Sequence, residues 1–368
     1  MFKLHVVQAQ YGDSLILEFG TRTRPRYLLV DGGPPGNFAA DLDPALDGII
    51  GIGGKIDRIV LSHIDNDHII GLLELFAAME DDAVSGRPPR VRVGGLWHNS
   101  FSKTIDPTGM IAQTLQSLMA TAGAMNVAMP LSANAFYGVK EGHRLRLMAQ
   151  KLAIAANKGF KDDLILVDTA GQAIKLGPLK VTIAGPTNGN LEALRAEWLK
   201  WLEETSERVA VNPKVAAMAD KSVPNLSSIV IVAECDGKTL LLTGDARGDH
   251  ICEGLKTAKL TDDGRLHVNV LKVQHHGSDR NTTRDFFRAV TADIYVISAN
   301  GRYGNPDFST LEWIVESARD ARRPITLVVT NETETTERLR RKLKPSTFGY
   351  SLEILQCGQH SFEIALSP

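Results

Sequence analysis

The pattern of apolar and polar positions predicts a β-rich start to the chain. The apolar runs "KLHVVQA" and "SLILEFG" flank a turn at Tyr11-Gly12-Asp13, and "RYLLVDGG" is typical of a buried strand. Residues 41–54 have helical spacing, "KIDRIVLSH" reads as the next strand, and a helix containing "HIIGLLELFAAME" begins near Asp67. After the break at Arg87-Pro88-Pro89, "VRVGGLW" predicts a further strand.

The middle of the chain has helical spacing, and the last third returns to β patterning. Helices are predicted over residues 110–123, 144–159 and 190–210, and the strand "KVTIAGP" comes before the third. The stretch "SSIVIVAECDGKTLLLTGD" predicts a hairpin that turns at Asp236-Gly237, followed by the strands "VNVLKVQHHGS" and "ADIYVISAN". We expect a single α/β (α+β) domain over residues 1–368, with helical insertions at 100–165 and 190–222 lining the substrate cleft.

Composition narrows the class of protein. The 368 residues are 43% hydrophobic and 23% charged, and the formal net charge is −2. No overall positive field therefore attracts nucleic acid, although a local basic groove would be enough to bind it. Three scattered cysteines without a CxxC pair predict a reducing, cytoplasmic location. The sequence has neither signal-peptide features nor an apolar run of membrane length, so we expect no membrane partner.

Several apolar strands end on residues that can bind metal ions. These residues are Asp31 in "LLVDGG", His63, Asp65, Asp67 and His68 in "LSHIDNDH", Asp245 in "LLLTGD", and His275 and His276 in "VQHHGS". Each motif alone has an ordinary explanation as a turn. To explain all four motifs as turns would require four coincidences. Loops at strand ends are also where functional sites are usually built. Crowded carboxylates also need compensation by positive charge. We therefore predict a metal centre.

The spacing of these residues suits two metal ions. Asp67 and His68, at the start of a helix, can face one ion, while His63 and Asp65 on the preceding loop face a neighbouring one. Asp245 is the natural bridge between the two ions. A calcium-binding EF-hand loop is excluded because "DNDH" lacks the required glycine and distal glutamate.

These motifs resemble a known family. "SHIDNDHIIG" is similar to the HxHxDH signature of the metallo-β-lactamase fold, with Asp65 in place of the second histidine, and "LLLTGD" and "HHGS" resemble its later metal motifs. Together with "VVQAQYGDSLIL", "NLSSIVIV" and "ANGRYGNP", they are most similar to the metallo-β-lactamase-like domain of bacterial DNA-internalisation (competence) proteins. The resemblance covers residues 1–80 and 220–305. It implies a four-layer αββα sandwich with a dinuclear site at one edge of two packed sheets.

The resemblance also implies roles for the site residues. Site one takes His63, Asp65 and the shared Asp245, with Asn225 as a weak ligand or an orienting group where most members have histidine. Site two takes Asp67, His68 and one of His275 and His276. Oxygen-rich ligation favours Mn²⁺ more than three histidines would, with Zn²⁺ the alternative.

Other candidate residues lie outside these two ligand sets. Asp31 is expected to orient a ligand histidine, and His98 in "GLWHNSF" is an alternative to Asn225 for completing site one. Relatives tend to have His-Pro where this chain has Asn305-Pro306. Ser278, Arg302 and Tyr303 are candidates for binding substrate.

Three functions fit the sequence. The first is a phosphodiesterase or nuclease in which two divalent ions activate a water and Asp67, His68 and Asp245 carry the catalysis. Its substrate is a small phosphodiester or a nucleic acid. The second is a hydrolase of carboxylic esters, lactones or amides, since one fold hosts many chemistries. The third is a non-catalytic regulatory protein with structural metals. The sequence predicts no oligomeric state.

Overall fold

The computed structural model describes residues 1–104, 106, 108–111, 113–114, 116–117, 132–211 and 227–368. The strands are β1 (Phe2–Val7), β2 (Leu15–Thr21), β3 (Arg24–Val30), β4 (Gly54–Leu61), β5 (Val91–Val93), β6 (Leu96–His98), β7 (Ile174–Leu176), β8 (Leu179–Gly185), β9 (Val230–Cys235), β10 (Lys238–Leu242), β11 (Leu266–Lys272), β12 (Val290–Ile297), β13 (Ile325–Val329), β14 (Tyr350–Ile354) and β15 (Ser361–Ser367). The α-helices within the described ranges are α1 (Asp43–Ile49), α2 (Asn66–Val84), α3 (Phe101–Thr104), α4 (Ser132–Lys151), α5 (Val167–Ala170), α6 (Asn188–Val211), α7 (Gly248–Thr257), α8 (Arg284–Ala289), α9 (Phe308–Asp320), α10 (Glu334–Lys342) and α11 (Pro345–Phe348).

Two mixed sheets form the centre of the molecule. The first has the order β15-β1-β2-β3-β4-β5, with β6 also paired to β4. Its β1, β2 and β3 are antiparallel neighbours, whereas β3, β4, β5 and β6 run parallel. The second sheet has the order β14-β13-β12-β11-β10-β9-β8-β7, and β10 to β14 run parallel. Each sheet therefore has a parallel part whose strands end at the same edge, which is where loops can assemble a site.

Three apolar cores separate four layers. The core between the sheets takes side chains from both, such as Leu17 and Val60 from the first and Leu240 and Val296 from the second. A second core packs α1, α2 and α4 against the outer face of the first sheet. The third packs α7, α8 and α9 against the outer face of the second sheet. The order of layers is helix, sheet, sheet, helix, which confirms the predicted αββα sandwich.

The strand pattern explains why both sheet faces are covered. Along β2, Leu15 and Leu17 face the core between the sheets, while Ile16 faces the helices. Successive strand side chains point to opposite faces, so a run without polar interruption is buried on both. The predicted hairpin at Asp236-Gly237 is also confirmed. Both turn residues have positive φ, 51° and 70°, as a tight hairpin turn requires.

The helical predictions need correction at their boundaries. The helix predicted over 144–159 ends at Lys151, because Ala153 and Asn157 have positive φ values of 54° and 46° that cannot continue a helix. The helix predicted over 41–54 ends at Ile49, and β4 begins at Gly54. Residues 105, 107, 112, 115, 118–131 and 212–222 of the predicted insertions lie outside the described residues. Among the described helices, none combines the length and apolar character needed to cross a membrane.

Candidate metal centre

Four loops meet at one edge of the two sheets. Asp31 follows β3, His63 and His68 follow β4, Asp245 follows β10, and His276 follows β11. Their strands are parallel neighbours within each sheet, so their carboxyl ends lie side by side. The backbone joins the two sheets at this edge, where the N–H of residue 229 donates to the carbonyl of residue 62 at 2.9 Å.

Two glycines let the N-terminal turn of α2 approach the loop after β3. A Cβ on Gly71 would lie 1.9 Å from the carbonyl oxygen of Gly32, and a Cβ on Gly32 would lie 2.3 Å from the nitrogen of Leu72. Because neither has a side chain, the Gly32 N–H can donate to the His68 carbonyl at 2.8 Å. This contact places His68, the first-turn residue of α2, beside Asp31.

Three imidazoles converge on one buried carboxylate. The Nε2 atoms of His63, His68 and His276 lie 3.7, 3.4 and 3.6 Å from the Asp245 carboxylate oxygens. The Asp67 carboxylate lies 3.3 Å from His276 Nε2. All three Nε2 atoms are buried and have no hydrogen-bond partner in the described part of the chain. Buried polar atoms without partners are rare in folded proteins and usually mark a bound water or ion. The same atoms form two overlapping ligand groups, His63–His68–Asp245 and Asp67–His68–His276.

The other ring nitrogen of each histidine is held by a specific partner. His276 Nδ1 donates to the Ser298 carbonyl at 3.0 Å, and His68 Nδ1 donates to Asp31 Oδ2 at 2.9 Å. His63 Nδ1 lies 2.9 Å from the Ser62 hydroxyl, which itself donates to Asp31 Oδ2 at 2.7 Å. A carbonyl or carboxylate can only accept, so the Nδ1 atoms of His68 and His276 carry a hydrogen and Nε2 is the ring atom that faces Asp245. This is the ring orientation that a metal-binding histidine needs.

Asp31 lies next to His68, which is a ligand candidate. It is fully buried, and its carboxylate also accepts a hydrogen bond from the Ser62 N–H at 2.7 Å. Its φ of 59° lies in the left-handed region, which costs of order 1–3 kcal/mol for a residue other than glycine. Asp31 thus aligns the ring of His68 and, through Ser62, that of His63.

His275 and His276 differ in burial and in the residues that they contact. Both have positive φ, 48° and 53°, so the chain turns sharply after β11 and their rings point in different directions. His276 is buried and belongs to a ligand group, whereas the side chain of His275 is 38% exposed. His275 Nδ1 donates to Asn281 Oδ1 at 2.6 Å, and its Nε2 lies 3.7 Å from Asp245. His276 therefore lies inside the cluster and His275 at its rim.

The electrostatics of the cluster follow from burial and mutual contact. Burial would raise the pKa of Asp245, but the imidazoles of His276 and His68 hold it well below its usual range. Burial would lower the pKa of His68, and Asp245 and Asp31 instead raise it well above its usual value. For His276, the Asp245 and Asp13 carboxylates overcome burial and raise the pKa to about 10. His63 behaves oppositely, since burial and the nearby His68 lower its pKa to about 4. Carboxylates in this cluster thus attract positive charge.

Asp13 and Lys272 are site residues that the motifs did not single out. Asp13 is buried, forms an ion pair with the buried Lys272, and its Oδ1 lies 3.4 Å from His276 Nδ1. Burial would raise the pKa of Asp13, but Lys272 and His276 lower it. The signal was a lysine between apolar residues at the end of the strand "VNVLKV", because a buried lysine requires a carboxylate partner.

The remaining predicted residues lie farther from the cluster or outside the described structure. The Asp65 side chain is 50% exposed, with Oδ2 3.8 Å from His63 Nε2. Asn225 falls outside the described residues. His98 is buried at the end of β6, belongs to no described ligand group, and lies beside Arg146. Ser278 is buried and closes the histidine turn through its N–H bond to the His275 carbonyl at 2.8 Å. Tyr303 is exposed.

A second acid–histidine group lies on the first sheet. It consists of His5, Glu18 and Glu363. His5 Nε2 already pairs with Glu18 at 2.9 Å, and Lys3 lies 3.1 Å from Glu363. These contacts satisfy its polar atoms within the protein, which distinguishes it from the cluster around Asp245.

Comparison with known proteins relates the N-terminal part of the chain to one family. Residues 22–95 match the family model described as Metallo-beta-lactamase superfamily. No curated protein matches the chain. Among solved structures, the chain is similar to one titled "Crystal Structure of a New Diphosphatase from the PhnP Family", with 12% identity, a TM-score of 0.39, and coverage of 99% of this chain and 98% of the other. The matched range 22–95 contains Asp31, His63, Asp65, Asp67 and His68, and the two packed sheets are consistent with the metallo-β-lactamase sandwich fold.

Proposed function

We propose that this protein is a metal-dependent hydrolase that cleaves phosphodiesters at a dinuclear centre around Asp245. One observation carries the proposal. Three buried imidazole Nε2 atoms, each with its Nδ1 hydrogen committed elsewhere, point at one buried carboxylate and have no hydrogen-bond partner among the described residues. Burying these groups is unfavourable unless a cation completes them.

The residues present fit a pair of divalent cations. His63 and His68 offer nitrogen ligands on one side, Asp67 and His276 offer ligands on the other, and Asp245 lies within 3.4–3.7 Å of the imidazoles on both sides. Imidazole nitrogens and carboxylate oxygens suit Zn²⁺ or Mn²⁺, and the carboxylate share favours Mn²⁺. When bound, two such ions lower the pKa of a shared water and offset negative charge that develops on the substrate.

The protein contributes the orientation of these groups. Asp31 and the Ser298 carbonyl hold the Nδ1 hydrogens of His68 and His276, so Nε2 is the atom of each ring that is directed at a cation. Lys272 compensates the charge of Asp13, which lies behind His276. His275, oriented by Asn281 at the partly exposed rim, is positioned to hydrogen bond or to protonate a substrate group.

Phosphodiesters are favoured over carboxylic substrates for two reasons. The donor set includes two carboxylates, Asp67 and Asp245, and carboxylates suit the hard cations that bind phosphate oxygens. The motif resemblance to competence proteins also favours a nucleic acid or another phosphodiester. Hydrolysis of a carboxylic ester, lactone or amide is the alternative outcome of the test.

The test is a substrate panel with metal-stripped protein. Bis(p-nitrophenyl) phosphate, p-nitrophenyl acetate and nitrocefin are each assayed with added Mn²⁺ or Zn²⁺. We expect metal-dependent diester cleavage that is lost in the Asp67→Ala, His68→Ala double variant and in Asp245→Asn. His5→Gln serves as the matched control, because it alters a buried histidine–carboxylate pair elsewhere. Ester or lactam cleavage without diester cleavage would replace the proposal with its alternative. Bound metal without any hydrolysis would indicate a regulatory protein with structural metals.

A further inference from the structure

Two tyrosines and an arginine form a partly exposed cluster, here called the Tyr–Arg cluster (Tyr11, Arg302 and Tyr303). The Arg302 guanidinium carbon lies 4.6 Å from the ring centroid of Tyr11 and 5.5 Å from that of Tyr303. The two rings meet edge to face at 5.4 Å. Tyr303 is 67% exposed, which is high for a large aromatic side chain. The cluster therefore offers both a cation and a planar face to solvent.

The first side of the cluster is attached to the metal centre through the turn that follows β1. Gly12 packs directly on the backbone of Asp67, since a Cβ on Gly12 would lie 2.0 Å from the Asp67 carbonyl oxygen. The Asp13 N–H donates to that same carbonyl at 3.2 Å. Tyr11 directly precedes Gly12, whose backbone packs on Asp67. The Asp67 carboxylate is close enough for its charge to act on the Tyr11 phenol.

The second side is attached through the loop that follows β12. The Ser298 carbonyl accepts the hydrogen bond from His276, and the Ser298 hydroxyl donates to the Gly12 carbonyl at 2.5 Å. Two residues after Ser298, the side-chain amide of Asn300 donates to Gln10 Oε1 at 3.2 Å. Asn300 Oδ1 accepts a hydrogen bond from the backbone N–H of Arg302 at 3.0 Å. The same short segment that orients His276 therefore positions Arg302 beside Tyr11.

The charge of Arg302 is not compensated locally. Throughout the described ranges, no carboxylate lies within ion-pair distance of its guanidinium, whereas Arg90, Arg146 and Arg247 all pair with aspartates. An unpaired guanidinium next to an anion-cleaving centre attracts a phosphate, which it can bind through two parallel hydrogen bonds. An exposed phenol ring beside it provides a stacking surface for a flat ring, at low cost in side-chain entropy.

We propose that the Tyr–Arg cluster is the specificity site of this hydrolase, with Arg302 binding the phosphate and Tyr303 stacking on a planar ring attached through it. The substrate class is therefore a nucleotide-type phosphodiester, in which a base lies a short distance from the scissile phosphate. This inference rests on the proposed function for its location next to a phosphate-cleaving centre. Its recognition step, binding of a nucleotide, can be measured without catalysis.

The kinetic test compares two substrates that share a leaving group. Thymidine 5′-(p-nitrophenyl phosphate) carries a base, and methyl p-nitrophenyl phosphate does not. We expect Tyr303→Leu to raise KM about tenfold for the thymidine substrate alone, because stacking of one base contributes roughly that factor. Tyr303→Phe keeps the ring and should behave as wild type. Arg302→Gln should raise KM for both substrates, and Arg302→Lys should restore part of the loss. Arg319→Gln, which removes an arginine stacked on Phe348 away from the site, is the matched control.

The binding test separates this inference from the proposed function. Adenosine 5′-monophosphate is titrated calorimetrically into wild type, Arg302→Gln, Tyr303→Leu and Arg319→Gln, with thermal melting as the check on folding. Weaker binding of adenosine 5′-monophosphate by Arg302→Gln and by Tyr303→Leu, but not by Arg319→Gln, supports the inference even if no substrate is cleaved. Metal-dependent diester cleavage with unchanged KM and Kd in both cluster variants overturns the inference and leaves the proposed function standing. If adenosine 5′-monophosphate does not bind the wild type and the two substrates are cleaved equally well, the inference is also overturned.

Discussion

His63 and His98 lie at the ends of two neighbouring parallel strands, and the last residue of β4, Leu61, pairs in register with His98. Both side chains are buried, and burial lowers the pKa of both, to about 4 for His63 and about 3 for His98. Their surroundings differ. His63 faces the Asp245 carboxylate and has its Nδ1 held beside Ser62, whereas His98 has Arg146 nearby and no partner at either ring nitrogen among the described residues.

The difference indicates which surroundings suit a buried histidine to bind a metal ion. Burial keeps both rings neutral, which is the form that binds metal. A carboxylate in front of the ring and an acceptor behind it then select one tautomer and supply compensating charge. His63 has both features. His98 has neither, and the nearby guanidinium lowers its pKa further and disfavours a second cation.

The largest expected contrast comes from removing each ring in turn. His63→Leu should lower metal affinity and diester hydrolysis by more than about a hundredfold, because loss of a ligand exceeds the 10–100-fold effect of its supporting residues. His98→Leu should leave both unchanged. Metal content by mass spectrometry and kcat/KM report the two effects. Comparable losses of metal content and kcat/KM in both variants would contradict the expected difference between His63 and His98 and would make His98 part of the centre.

A smaller contrast tests the role of the acceptor. Asp31→Asn keeps the size of the side chain but removes the charge that holds His68 Nδ1–H and the Ser62 hydroxyl. We expect metal affinity to fall about 10–100-fold while the fold is retained. Competition with a coloured chelator measures the affinity, and circular dichroism checks the fold. Unchanged affinity would mean that Asp31 only shapes the loop after β3.

The close approach that positions His68 gives a third prediction. Gly71→Ala places a methyl group against the Gly32 carbonyl and should destabilise the protein by about 1–3 kcal/mol, with metal affinity reduced as α2 shifts. Gly48→Ala is the matched control. That glycine is exposed in α1 with nothing within 4 Å of the added atom, so alanine should stabilise by up to about 1 kcal/mol. Chemical denaturation of both variants gives the comparison, and equal stability would contradict it.

The smallest effect concerns acid stability in metal-free protein. The folded-state pKa of His98 is about 3 and its ordinary value is 6.5, so between these pH values the unfolded chain binds the extra proton. Stability must therefore fall as pH decreases from 6.5 toward 3. His98→Leu lacks this linkage, and its free energy of unfolding should decline less steeply over that range. Parallel urea titrations at several pH values measure the slopes, and identical slopes would show that His98 is not held neutral in the folded protein.

The sequence predicted which residues meet at the site better than how they are arranged there. Polar motifs at strand ends singled out Asp31, His63, Asp67, His68, Asp245 and the His275–His276 pair, and these side chains lie at one edge because parallel strands bring such ends together. The sequence could not choose between His275 and His276, since the choice depends on two consecutive residues with positive φ. Nor could it exclude His98 as an alternative to Asn225, because His98 follows an apolar strand as His63 does and the distinction between them comes from Asp245, about 150 to 180 positions later in the chain.

The fold was predictable to the level of layers but not of boundaries. The apolar runs predicted the strands, the resemblance to the metallo-β-lactamase fold implied the two packed sheets, and the Asp-Gly turn predicted the hairpin. The helix predicted to continue to residue 159 stops at Lys151. Apolar residues such as Ile154 remain buried beyond Lys151, so the apolar spacing continues in the sequence. The helix itself ends because residues with positive φ follow. The buried pair of Asp13 and Lys272 was missed because its partners are far apart in sequence.

Anomalous diffraction from crystals grown with Mn²⁺ is the most direct test of the central claim. We expect two peaks in the anomalous difference map, about 3.5–4 Å apart. Asp245 should lie between them, with the Nε2 atoms of His63, His68 and His276 directed at them. A single peak, or occupancy only at the group of His5, Glu18 and Glu363, would contradict a dinuclear centre around Asp245.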